Sequence, residues 1–204
     1  MSRVPPLLHL GVAGQLLPAL AVIVRKRWQA PALAIAAGGL VGFAGDVVGR
    51  VMAVRVRNNH LVDYLDLPVM VACYLWALRS GQPTPRGQRV FGAVILLFLA
   101  LCVVLVALVE DPRELTVAVG PLAAATLFGA ALWSRTRLPA AAGLALLGGT
   151  MAVTSLVGPP LLAAGRYALF SATWQARAVI VGAAYAWIAW TIAREPRAPA
   201  EVPR

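Results

Sequence analysis

Apolar residues along this chain come in long runs, interrupted by short clusters of charge, proline and glycine. Seven runs have the length a helix needs to cross a bilayer, roughly 20 residues each. They fall at about 5–24, 32–54, 61–78, 90–109, 115–133, 139–158 and 168–193. The breaks read RKRWQAP, VRNNH, RSGQPTPRGQ, EDPRE, SRTRLP and the GPPLLAAGR region, and such segments end helices and form loops. The pattern predicts an all-α, polytopic integral membrane bundle of seven transmembrane helices. Residues 1–194 form its single domain, and 195–204 a short disordered cytoplasmic tail.

Composition strengthens this picture. Of the 204 residues 60% are hydrophobic and 13% charged, well outside the range of a water-soluble domain. Seven spans use almost the whole chain, which excludes most soluble enzyme folds. Cys73 and Cys102 both lie in apolar runs, where a thiol acts as a small hydrophobe, so neither a disulfide nor a zinc motif is expected. Arginine supplies nearly all the basic residues, Lys26 being the one lysine, and Ala, Gly and Val abound. That usage suggests a GC-rich bacterial genome.

The formal net charge of +10 has a topological meaning here. Cytoplasmic loops of membrane proteins carry the Lys and Arg excess. One side of the predicted bundle holds Arg25, Lys26, Arg27, Arg79, Arg86, Arg89, Arg135, Arg137, Arg194, Arg197 and Arg204; the other holds Arg3, Arg50, Arg55, Arg57, Arg113 and Arg166. Glu110, Asp111 and Glu114 lie on the second side, and Trp28, Trp76, Trp133 and Trp190 flank the basic one. The expected orientation is N-terminus outside and C-terminus cytoplasmic, in a bacterial inner membrane. The partner implied by the charge is the bilayer and not nucleic acid.

A charge inside a membrane needs a partner or a wet cavity, because exposing it to hydrocarbon costs about 2.5–3.5 kcal/mol on insertion scales. Such residues cluster in the outer halves of spans one, two, three and seven: His9 and Gln15; Asp46 and Arg50; Asn59, His60, Asp63 and Asp66; and Arg177. Asp46 and Arg50 are spaced i, i+4, as an ion pair on one helix face requires. Gly38, Gly42, Gly45 and Gly49 form a small-residue stripe on the same span, which predicts close helix packing near the bundle centre. Pro68 should kink the third span.

Three function classes remain. Asp46, Arg50, Asn59, His60, Asp63, Asp66 and Arg177 could line an outward-facing polar pocket for a small ligand or bind a membrane-protein partner or second copy. They could equally form a structural network, Asp46 with Arg50 and Arg177 with Asp63 or Asp66. An enzyme on lipid head groups would use Asp46, or His60 with Asp63, as acid or base. A small-solute transporter needs a polar path to the inner face, for which these spans offer little. No cofactor is implied: Lys26 lies in the first inner loop, which excludes a retinal Schiff base in the last span.

The run NNHLVDYLDLPVM resembles the segment opening the third helix in a set of small, uncharacterised bacterial seven-helix membrane proteins, which place paired asparagines before a His or Tyr, a proline and an acid. Here Met70 stands where that acid would be. The resemblance implies a similar helix plan and no activity. Gly45-Asp46 is faintly similar to the GD of bacterial lysoplasmalogenase-like proteins, which names the enzyme alternative.

Overall fold

A computed structural model of the chain describes residues 7–55, 60–134 and 138–194. Its regular elements among these are all helical: α1 (Leu7–Gly14), α2 (Leu17–Arg25), α3 (Ala30–Arg55), α4 (His60–Ser80), α5 (Pro85–Leu108), α6 (Pro112–Ser134), α7 (Ala141–Ala163) and α8 (Tyr167–Arg194). Six stretches are long and apolar enough to cross a membrane: α1 with α2, α3, α5, the Val117–Ser134 part of α6, α7 and α8. The protein is therefore an all-α, multi-pass membrane protein. Helix α4 has 21 residues, roughly 31 Å at 1.5 Å each, and carries Asp63, Asp66 and Arg79. The tail 195–204 lies outside the described residues.

Local chemistry explains the helix ends. Lys26 takes a left-handed conformation (φ 53°) after α2, with Arg27 N–H bonded to the Val22 carbonyl and Lys26 N–H to that of Ile23. Gly165 (φ 67°) closes α7 in the same way through Leu161 and Leu162. Both are Schellman stops. The GPP signal was expected to end the sixth span at 158, yet α7 runs to Ala163. Proline's fixed φ is compatible with helix, so Pro159 and Pro160 forfeit hydrogen bonds without halting the chain, and the stop comes at the glycine. Thr84 caps α5 by accepting from Gly87 N–H at 3.1 Å, with Pro85 at the first helical position.

The first span departs most from expectation. It is two helices, interrupted at Gln15 and Leu16, whose N–H groups bond three residues back, to Val12 and Ala13. Pro18 is the physical reason: it has no N–H to give the Gly14 carbonyl, and its ring disfavours helix through that carbonyl.

The helices form a ring in which α1 and α2 pack on α3, α3 on α4, α4 on α6, α6 on α7, α7 on α8, and α8 back on α1 and α2; α5 lies against α4 and α6. Only 17% of the α5 span is buried in protein, against 50% for α7, so α5 presents most of its surface to lipid. The second span, expected at the centre, is a wall of the ring: Leu40, Val47, Val48 and Val51 of α3 are exposed while Gly38, Gly39, Gly42 and Gly45 face inward. Lipid tails give no hydrophobic drive for helices to associate, so close van der Waals contact must supply it. Gly11 meets Ala178, Gly14 meets Gly182, and Gly148 meets the Phe128 backbone. At the end carrying Trp28, Trp76, Trp133 and Trp190, the buried Gln82 donates to the Leu78 carbonyl and to Ser134 Oγ at 3.0 and 3.1 Å, tying the α4–α5 turn to α6. Arg79 and Arg194 lie over Trp76 and Trp190 there, at 4.5 and 4.2 Å.

Candidate functional site

The site is built where α3 offers glycines to two neighbours. Helix α4 lays Asp66, Met70 and Tyr74, spaced one turn apart, antiparallel onto Gly45, Gly42 and Gly38 of α3. A Cβ at Gly45 would fall within the Asp66 carboxylate, and one at Gly42 would stand 2.8 Å from Met70 Sδ. Gly39 receives the backbone carbonyl of Gln15, at the break in the first span. Irregular backbone at membrane depth is tolerated only against protein or a cavity, and the glycine supplies that protein surface. The fourth member of the expected stripe, Gly49, has nothing within 4 Å of its Cβ position.

Gln15 is 8% exposed, and its Nε2 donates to Asp46 Oδ2 at 2.8 Å. That bond fixes the amide's orientation, because the oxygen would be repelled by the carboxylate. The Gln15 Oε1 consequently points away from Asp46, 3.4 Å from the Gly42 Cβ position, and it is buried with no hydrogen-bond partner. One turn further along α3, Arg50 Nη1 donates to His9 Nδ1 at 3.1 Å, which leaves the His9 proton on Nε2. Toward the middle of the bundle, Tyr74 and Tyr185 join hydroxyls at 2.8 Å, both fully buried, and the Tyr185 hydroxyl faces Met70 Sδ at 4.0 Å.

The Asp46–Arg50 ion pair expected from the i, i+4 spacing is thus replaced by two contacts across helices, Gln15 to Asp46 and His9 to Arg50. An exposed i, i+4 pair stabilises a helix by only about 0.2–0.5 kcal/mol, which a tertiary partner readily exceeds. Asp46, Arg50 and Asp66 are all half-buried along the α3 and α4 contact. Arg177 is half-buried on α8, its guanidinium 4.4 Å from the Trp174 ring centre, and it lines a groove of about 590 Å³ with Phe128, Thr150, Thr154 and Thr173. Asn59 lies outside the described residues, as do the side chains of His60 and Asp63. Among the described side chains, the histidine present, His9, engages a guanidinium.

Gln15, Met70, Tyr74 and Tyr185 were not in the expected site. The available signal was Pro18, three residues after a glutamine within an apolar run. Nothing in the sequence marks the tyrosines, since an aromatic in a span is ordinary packing material.

These features define a multi-pass helical bundle with a broken first span wrapped around a polar core. Comparison with protein-family models, with curated proteins and with solved structures finds no match for this chain.

Proposed function

We propose that the protein is a seven-span bundle of a bacterial inner membrane, N-terminus outside and C-terminus cytoplasmic, that binds a small polar ligand in its outer half. The observation that carries the binding reading is the Gln15 Oε1, an acceptor buried at membrane depth without a donor beside a carboxylate whose partner is a neutral amide. Buried polar atoms are normally satisfied, by protein or by a bound water, ion or ligand, and this acceptor is open to such a partner. The glycines of α3 support this, since they let Gln15, Met70 and Asp66 close on the same helix that carries Asp46.

The orientation rests on the eleven basic residues of one side against six of the other, and on the tryptophans with their stacked arginines at the basic end. A reporter fused after Arg204 should be active in the cytoplasm, and periplasmic activity would reverse the topology. The binding test is thermal unfolding of the purified protein against a panel of small polar solutes. At least one should raise the midpoint in the wild type and leave Asp46→Asn unmoved, the variant keeping its folded yield. A panel without any such solute would remove the reading.

A further inference from the structure

We propose that Arg27, at the tryptophan-bearing end of the bundle and apart from the polar site around Asp46, holds the phosphate of an anionic membrane phospholipid. Lys26 takes the left-handed turn after α2, and the Arg27 N–H closes the stop on the Val22 carbonyl. In a Schellman stop the residue at that position commonly turns an apolar side chain back onto the helix it ends. Here the position carries an arginine, and the arginine is buried: Arg27 is 8% exposed, whereas Arg25, Lys26 and Trp28 beside it are exposed. Its Nε is sealed from solvent with no acceptor. Among the described residues its guanidinium has no hydrogen-bond partner, and Nε alone of its nitrogens is sealed, so the two Nη groups are the part left open to the surroundings.

Charge and depth select the partner. A guanidinium does not shed its proton, and holding one away from water is costly unless an anion answers it. Among the described side chains the acids lie elsewhere: Asp46 is well along α3, Asp66 packs at the level of Gly45, and Glu110, Asp111 and Glu114 belong to the far end of α5 and the start of α6. Glu195 and Glu201 lie outside the described residues. The sequence around the basic end supplies further cations instead, Arg25, Lys26, Arg79, Arg86, Arg89 and Arg194. Exposed Trp28, with Trp76 and Trp190 under their arginines, marks the level at which tryptophans meet lipid head groups. The anion abundant at that level is the lipid phosphate, and a planar fork of N–H donors matches two of its oxygens. Exposed Arg25 and Lys26 add a local positive field, which favours a lipid of net negative charge over a zwitterionic one.

The experiment uses the full-length protein in a maltoside detergent, stripped of lipid and titrated with phosphatidylglycerol while the unfolding midpoint is followed. The expected result is a saturable rise, with none from diacylglycerol, which lacks the phosphate. Arg27→Gln should raise the half-saturating concentration by about tenfold or more, the loss expected for a hydrogen bond to a charged group. Arg86→Gln, exposed at the same end, should leave it nearly unchanged. Arg27→Lys keeps the charge without the fork and should fall between wild type and Arg27→Gln. Native mass spectrometry of the wild type should show phosphatidylglycerol retained in preference to phosphatidylcholine, a readout that does not depend on any variant folding. Inorganic phosphate reproducing the rise would make the ligand a soluble anion and overturn the lipid assignment. A rise with diacylglycerol equal to that with phosphatidylglycerol, undiminished binding in Arg27→Gln, or an equal loss in Arg86→Gln, which would mean diffuse attraction to the basic rim, overturns the proposal outright.

Discussion

Gly39→Ala is expected to destabilise the protein by about 1–3 kcal/mol, the usual range for overpacking a close contact. The added methyl would enter the contact distance of the Gln15 carbonyl oxygen. That oxygen is backbone and cannot rotate aside. The chain there is also tethered to α3 by the Gln15–Asp46 bond, so relief requires either α3 to separate from the first span or the tether to lengthen. Gly45→Ala should behave similarly, since its methyl would overlap the Asp66 carboxylate and come within 2.7 Å of Asp66 Cβ. Gly49→Ala is the control. It meets nothing within 4 Å, and alanine's helix preference over glycine, about 1 kcal/mol in water, makes it neutral or mildly stabilising. Thermal or denaturant unfolding in the same detergent should separate Gly39 and Gly45 from Gly49 on the same helix. Equal midpoints for all three would show that α3 is not seated on α1, α2 and α4 as described.

The second large effect is a coupling. Asp46→Leu leaves the Gln15 amide with no described partner for either polar atom, at about 1–3 kcal/mol for a buried group. Gln15→Met removes the neutral donor that holds the Asp46 carboxylate. Making both changes at once removes the unsatisfied partner too, so the double variant should be less damaged than the two single effects together imply. A coupling of about 0.5–3 kcal/mol is expected from a double-mutant cycle on unfolding free energy. The corresponding cycle between Asp46→Leu and Arg50→Ala should give a smaller value, because Arg50 faces His9. A larger coupling to Arg50 than to Gln15 would restore the ion pair that the spacing suggested. Asp46→Asn keeps an oxygen for Gln15 to donate to and should be much milder than Asp46→Leu in stability, which is why it serves as the binding variant.

How far the site was legible follows from how far each interaction reaches along the chain. Asp46, Arg50 and Asp66 stand out because an ionisable side chain in an apolar run is conspicuous whatever the fold. Their partners are less so. His9 and Arg50 are 41 residues apart and Gln15 and Asp46 are 31 apart, so these contacts depend on the rotation and height of the first span against α3. That placement depends in turn on small residues meeting across helices, Gly11 with Ala178 and Gly14 with Gly182 on one side, Gly39 and Gly42 with Gln15 on the other. Tyr74 and Tyr185, 111 residues apart, are the extreme case.

The amino-acid sequence by itself determined that helices cross a membrane and roughly where they begin and end, because hydrocarbon demands unbroken apolar stretches with internally satisfied backbone. It also marked the α3 glycines as a packing surface. Only the tertiary structure decided that the first span breaks at Gln15, which residues share the polar core, and which acceptor is left over. Those outcomes are differences between competing partners brought together across helices, and no periodicity within a single helix encodes them.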